Sequence, residues 1–375
     1  MNLSISFYKR MLLVVSLAAL TGCAASREAL QPATLQGEAL KIAVLPFENL
    51  SRTGAPLKGM RQAMIGILRT DGANILDDDS LEKFMARHRM RYMGGIKGDD
   101  AAAIASETGT GAVLITDLEN YSEVIPPKIA LVSRLVSTER HPKILWTDSV
   151  GLSGDDSPGI LGVGLIEDPA VLTRKAMGLL TVSLERYLAG KKTTDRGVPD
   201  RAFAAKFAPK LFYRSPVLDP GHKYTVAVVP FLNKSSRKNA GEIVALQFVK
   251  ELAANGNFKV IEPGVVREEF LKYRIIMEEG VSLSNADIFF TDLDADLVLT
   301  GTVTDYQDYQ GFLGTPKVAF STILLDRKSR EVVWSSRSRN EGNEGVYLFD
   351  MGKVNTSDVM TGQMARAVVE MMVGK

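Results

Sequence analysis

The sequence predicts an α/β protein built as a tandem duplication, each copy a layered unit around a mixed sheet. Three observations carry that prediction. The 375 residues are 45% hydrophobic and 24% charged, which suits globular domains and makes the chain long enough for two. Residues 42–51 read IAVLPFENLS and residues 226–235 read VAVVPFLNKS, so an apolar run enters Pro-Phe-x-Asn-x-Ser twice. Four more blocks recur in the same order. They are AVLITDLENY with LVLTGTVTDY, KILWTDS with EVVWSSR, GVGLIE with GVYLFD, and the segments 171–188 and 359–373, at a near-constant offset of 183 to 188 residues.

Each element of one copy has a local reason. Residues 41–47 form a continuous apolar run, the pattern of a strand covered on both faces. A turn follows, which Asn49 and Asn233 are expected to close with their side-chain amides. Leu57, Met60, Met64 and Leu68 then share one helical face, with Gly72 beyond the stop; Val244, Phe248 and Leu252 repeat that face before Gly256. Short strands are expected at 73–76 and 258–261. Asp79-x-x-Glu82 has capping-box spacing for a helix through Phe84 and Met85, and 100–108 reads as a helix of small residues. Strands at 112–119, 128–136 and 143–150 follow, with counterparts at 318–325 and 331–335. Asp168-Pro169 supplies a cap and first-turn residue for the last helix, and Gly190 follows its end. Trp146 and Trp334 fall at equivalent positions and suit a packing role. Each of the two cores is expected to be complete by itself.

The amino-terminal residues have a different character. Lys9 and Arg10 precede the apolar run of residues 11–20 (MLLVVSLAAL), which is too short to cross a hydrocarbon core of about 30 Å. Leu20-Thr21-Gly22-Cys23 follows, holding the single cysteine of the chain. This order resembles the bacterial lipobox. The resemblance implies a signal peptide over residues 1–22 and a diacylglyceryl group, with palmitate, on Cys23 as the lipid attachment site. Two or more acyl chains hold a protein stably on a bilayer, where one binds only marginally. Ala24 stands where an aspartate would resemble an inner-membrane retention signal, so the family pattern implies the outer membrane, facing the periplasm. Residues 23–40 then read as the lipidated cysteine and a tether, spanning at most about 60 Å. The domain organisation expected is a first repeat over 41–190, a connector over 191–222 and a second repeat over 223–375.

The connector is basic and aromatic, with Arg201, Phe203, Phe207, Phe212 and Tyr213 among its residues. Such interleaving serves nucleic-acid or membrane surfaces in other proteins. Here Pro199, Pro209, Pro216 and Pro220 prevent one long amphipathic helix, and the formal net charge of the chain is only +1. The preferred reading is a linker whose aromatics pack on a domain, with no nucleic-acid partner.

Pro-Phe-x-Asn after a first strand, the helix and acidic turn that follow, and a strand pair ending in Val-Val-Trp-Ser resemble the anticodon-binding-like domain of bacterial envelope lipoproteins. The curli-secretion lipoproteins, the amino-terminal domain of TolB and the LpoB-type activators of peptidoglycan synthases are similar in fold. The resemblance covers both repeats and implies a three-layer domain with a mixed sheet. Curli-secretion lipoproteins build an outer-membrane barrel from two inserted hairpins, whose strands need about 9 to 11 residues each. The segments at the corresponding place, SEVIPPK at 122–128 and QDYQGFLGTP at 307–316, are too short to cross twice.

The residues give no positive sign of catalysis. His88, His141 and His222 lack HxxxH or HExxH spacing, and a single cysteine excludes a CxxC site. DLDAD at 292–296 begins like a calcium loop, but Leu297 takes the glycine position and Val303 the glutamate position. Asp77, Asp78 and Asp79 read as a turn and helix cap, since the duplicate has Glu262-Pro263-Gly264. SPGILGVG at 157–164 lacks the lysine of a P-loop. The expectation is therefore a non-enzymatic outer-membrane lipoprotein, without cofactor or metal, presenting two binding domains to an unidentified envelope protein as scaffold or accessory in envelope assembly, export or cell-wall synthesis. The alternative is an oligomeric component of a curli-like secretion apparatus, a homo-oligomer formed by head-to-tail packing of the duplicated domains.

Overall fold

The computed structural model describes residues 40–156, 164–191, 206–274, 283–312, 314–346 and 352–374. The signal peptide, Cys23 and the tether expected at the amino terminus lie outside these residues, as does part of the GVGLIE and GVYLFD pair.

The first half contains β1 (Lys41–Val44), β2 (Glu48–Asn49), α1 (Leu57–Thr70), β3 (Asn74–Ile75), α2 (Asp78–Arg87), α3 (Gly98–Thr108), β4 (Ala112–Ser122), β5 (Lys128–Ser137), β6 (Ile144–Ser153) and α4 (Pro169–Leu188). Its sheet runs β3-β1-β4-β5-β6, with β2 pairing β4. β1 is parallel to both of its neighbours, and β4, β5 and β6 form an antiparallel meander. The second half contains β7 (Leu211–Arg214), β8 (Tyr224–Val228), β9 (Leu232–Asn233), α5 (Ala240–Ala253), β10 (Phe258–Val260), α6 (Pro263–Lys272), α7 (Leu283–Asp292), β11 (Leu297–Gln307), β12 (Lys317–Asp326), β13 (Val332–Glu341) and α8 (Ser357–Met372). Its order, β10-β8-β11-β12-β13-β7, repeats the first topology with one strand added. Register irregularities recur too, between Leu118 and Asn120 and between Val303 and Asp305. The chain is thus a duplicated mixed α/β unit.

Helices pack on both faces of each sheet, over its parallel strands on one face and along its whole width on the other. In the first half Ile42, Val44, Leu114 and Leu131 pack with Met60 and Met64 of α1 and Leu180 and Leu184 of α4. The other face packs Ala43, Leu45, Val113 and Ile115 against Leu81, Phe84 and Ile104 of α2 and α3. The second half repeats this with Val228, Leu299 and Phe320 under Val244, Phe248 and Met364, and with Val298 over Phe270 and Phe289. Phe248 stacks on Phe231 at 5.5 Å and meets Phe320 edge-on at 5.7 Å. Such ring pairs contribute about 0.5–1.5 kcal/mol each beyond area burial.

Several boundaries differ from the sequence reading. The cap of α2 is Asp77, which accepts from Ser80 N at 2.8 Å, rather than a box at Asp79. The helix starts two residues earlier than expected, so Asp77 meets the orphan N–H of Ser80, and Asp78 in the first turn binds Arg61 at 2.7 Å. β13 runs to Glu341, six residues beyond expectation, because past Trp334 its buried residues, Ser336, Ser338 and Asn340, are as polar as the exposed Arg337 and Arg339 and give no apolar alternation. In the expected connector, β7 pairs antiparallel with β13, Phe212 stacks on Trp334 at 5.6 Å, and Phe207 is buried. The expectation of two separately complete cores is corrected as well. The main core of the second half takes in Leu50, Val132 and Ile144 of the first.

Candidate functional site: the seam between the repeats

The seam exists because one sheet face in the first half is longer than its own helices. α2 and α3 cover Val113, Ile115 and Val136, whereas Asp117 and Glu119 of β4 and Val132 and Arg134 of β5, on the same face, pack against the second half. α5 and α8 therefore have sheets on both sides. Val359 of α8 approaches Gly151, where a Cβ would lie 2.6 Å from its methyl. Lys250 of α5 donates to Ser149 Oγ at 2.8 Å. Gly95 meets Gly264, leaving 2.6 Å between a Cβ on the former and the backbone N and Cα of the latter. Lys143 and Ile261 form one antiparallel bridge across the seam.

Two buried polar clusters lie along it. In the first, Arg134 donates Nη1 to Asp117 Oδ2 at 2.8 Å and Nη2 to the carbonyl of Gly94 at 2.7 Å, with Nε 3.6 Å from Glu262 Oε2. All three charged groups are fully buried. Burial pushes the Asp117 carboxyl up to about 7 against the pull of Arg134, with Glu242 reinforcing the rise. Burial raises Glu262 also, and Arg134 opposes it. Burial works against charge on Arg134, but Glu262 and Asp117 outweigh it and keep the guanidinium protonated. One cation thus faces two buried carboxyls, and full ionisation of both is disfavoured. Glu262 additionally caps α6, accepting from Gly264 N at 3.3 Å. Nearby, Tyr92 donates to Glu242 at 3.1 Å, under the Arg267 guanidinium at 4.0 Å.

In the second cluster, Lys128 Nζ donates to Asp308 Oδ1 at 3.0 Å and to the carbonyls of Tyr309 and Asn355 at 2.6 and 2.9 Å. Asn120 bonds Asp308, and Tyr306 donates to Asp358 at 2.9 Å. Burial, with Asp308 close by, lifts Asp358 to about 6. Glu119 accepts from Gln247 Nε2 at 2.7 Å, and burial with Asp358 raises it strongly. Arg237 donates to the Glu119 carbonyl at 2.6 Å.

This arrangement binds the halves together and offers no reaction centre. The acids are held by cations and amides, with no activated nucleophile beside a base. The cleft between Tyr92, Pro230, Glu242, Leu246 and Arg267 has a volume of about 30 Å³, room for a water or two, against the several hundred of a metabolite pocket. Among the described residues no group of three or more His, Cys, Asp or Glu side chains could hold a metal ion. No helix among them is long and apolar enough to cross a membrane.

Residues singled out in the sequence fall into packing roles. Trp146 and Trp334 are buried, their indole N–H groups donating to Ser183 and Thr322. Asn49 closes its turn onto the Thr53 carbonyl at 2.9 Å, and Asn233 onto that of Arg237 at 2.7 Å. The seam charges went unrecognised in the sequence. Their signal was a difference between copies: Asp117 and Arg134 stand where the second repeat has Thr302 and Ile323.

No family model and no curated protein matches this chain. Solved structures do. The PelC dodecamer from Paraburkholderia phytofirmans is 22% identical over 44% of this chain and 97% of its own, with a TM-score of 0.30. Lipoprotein GNA1162 from Neisseria meningitidis is 19% identical over 40% of this chain and 97% of its own, with a TM-score of 0.29. The LpoB C-terminal domain from Salmonella enterica is 17% identical, covering 33% of this chain and 88% of its own, with a TM-score of 0.25.

Proposed function

We propose that this chain is a non-enzymatic lipoprotein of the outer membrane, acylated at Cys23, that presents two fused α/β units to an envelope protein on the periplasmic side. The observation that carries the reading is the order Lys9-Arg10, the apolar run of residues 11–20, and Thr21-Gly22-Cys23, in which the only thiol of the chain sits where acylation would occur. Acylated there, the protein needs no spanning segment, since several acyl chains at ~0.8 kcal/mol per buried methylene hold it to a bilayer. The seam supports a scaffold role. Buried charge pairs fix the relative orientation of two units more than they stabilise it, so a partner meets one defined surface.

The test is metabolic labelling with a fatty-acid analogue. Wild-type chain should incorporate label and begin at Cys23; Cys23→Ser should lose both label and cleavage. An unlabelled wild-type chain that still begins at Met1 would overturn the proposal.

A further inference from the structure

The repeats are stacked head to tail, so their interface is heterologous and leaves an unused counterpart at each end. The first sheet receives α5 and α8 on the face built by Ala130, Val132 and Arg134 of β5 and Ser149 and Gly151 of β6, where Val132 pairs Ser149 and Ala130 pairs Gly151. The second sheet has the same registers, Ser321 with Arg337 and Ala319 with Arg339. There the equivalent face is open. Ile323, at the place of Arg134, is 37% exposed, and Tyr213 and Leu211, which β7 adds to this face beside Ser335 and Arg337, are 52% and 66% exposed.

Two positions used in the internal contact are changed. Ser149, which accepts the Lys250 ammonium, becomes Arg337, and Gly151, which admits Val359, becomes Arg339. Both arginines are exposed and neither makes an ion pair among the described residues. The acids of that face, Asp305 and Glu341, are engaged by Gln307 at 2.8 Å and Lys317 at 3.2 Å. A second copy docking as the halves do would bring α4, the counterpart of α8, onto these arginines. Val171 of α4 would take the place of Val359, and the exposed Arg174 and Lys175 lie one turn further on. Bulk and like charge both oppose that contact.

We infer that the open face of the second sheet, centred on Arg337, Arg339 and Ile323, docks an acidic amphipathic helix of a different protein and excludes further copies of this chain. Arg337 and Arg339 project from one face of β13 about 7 Å apart. Carboxylates at i and i+4 on a helix are about 6 Å apart, so two can be gripped at once by planar guanidinium groups. Leu211, Tyr213 and Ile323 supply the apolar floor that Val132 and its neighbours supply inside the seam. The inference rests on the reading of the chain as a protein-binding scaffold, and it is independent of acylation.

Two measurements test it. A photo-crosslinking residue replaces Ile323 in the full chain in its native host, and the crosslinked peptide is sequenced. The expected product is an adduct with another protein through a segment carrying two or more carboxylates, reduced about tenfold or more by Arg337→Glu with Arg339→Glu. Adducts only between copies, no adduct, or an adduct indifferent to the charge reversal would each overturn the inference. Arg337→Gln with Arg339→Gln gives the same reading should the reversed variant fold poorly. Separately, sedimentation of the purified chain should show no head-to-tail association, while Arg337→Ser with Arg339→Gly, which restores the residues of the first repeat, should increase self-association. Wild-type association abolished by Arg337→Glu with Arg339→Glu would refute the exclusion. Loss of lipid labelling at Cys23 would remove the envelope assignment and leave both of these readouts intact.

Discussion

Raising the pH from about 5 to about 8 should weaken the folded chain, and Asp117 is one identified source. Its carboxyl has a folded value of about 7 against an ordinary 3.8, burial being the main cause. By about pH 5 the unfolded chain has released this proton while the folded chain still holds it. A raised folded value gives stability that is complete below the unfolded value and is lost as pH rises through the folded one. The loss for Asp117 therefore falls between pH 3.8 and about 7. At ~1.4 kcal/mol per unit it totals ~4 kcal/mol, of which ~2.5 kcal/mol lies between about pH 5 and pH 8. Asp358, at about 6, acts in the same direction and adds ~1 kcal/mol over that range. The assay is urea unfolding followed by the fluorescence of Trp146 and Trp334, one buried in each half. The wild-type midpoint should be higher at the acid end, and Asp117→Asn should flatten the difference by about 2–3 kcal/mol. A midpoint that is level or rises with pH, or an Asn variant with an unchanged slope, would refute the assignment of a proton to the Arg134 cluster.

Three further variants have expected outcomes. Gly95→Ala places a Cβ 2.6 Å from backbone atoms of Gly264 that cannot swing away, so it should cost about 1–3 kcal/mol in unfolding; Gly66→Ala, in open space on α1, should instead stabilise by about 1 kcal/mol. Phe212→Ala, in a Trp146→Phe background, should shift Trp334 emission to the red and lower stability by about 0.5–1.5 kcal/mol beyond lost burial, because the stack at 5.6 Å screens that indole.

The motif Pro-Phe-x-Asn-x-Ser shows how far local chemistry reaches. Asn49 and Asn233 are legible because an amide four residues from its partner carbonyl needs no distant element to place it. The same holds for the paired tryptophans, whose apolar strand surroundings already place them in a core. Arg134 was not legible. A charged residue inside SRLVS carries no local sign of burial, and only the second half of the chain, with Glu262 beside the guanidinium, converts that face into an interior. Glu262 reads as a helix cap, which it is, yet its second partner lies in the other half of the chain.

Sequence alone determined the duplication, the strand and helix order that the two copies share, and the lipobox resemblance at Cys23, because periodicity, turn chemistry and an apolar leader depend on neighbours along the chain, whereas β7 of the second sheet was hidden in the expected connector. Tertiary structure decided that the two units share a core, that Asp117, Arg134 and Glu262 are buried together, and that Arg337 and Arg339 stand on an open face where their counterparts are covered. The reason is that burial of a sheet face depends on what is stacked upon it. Two copies of one fold meet different fates when only one of them has a neighbour on that face.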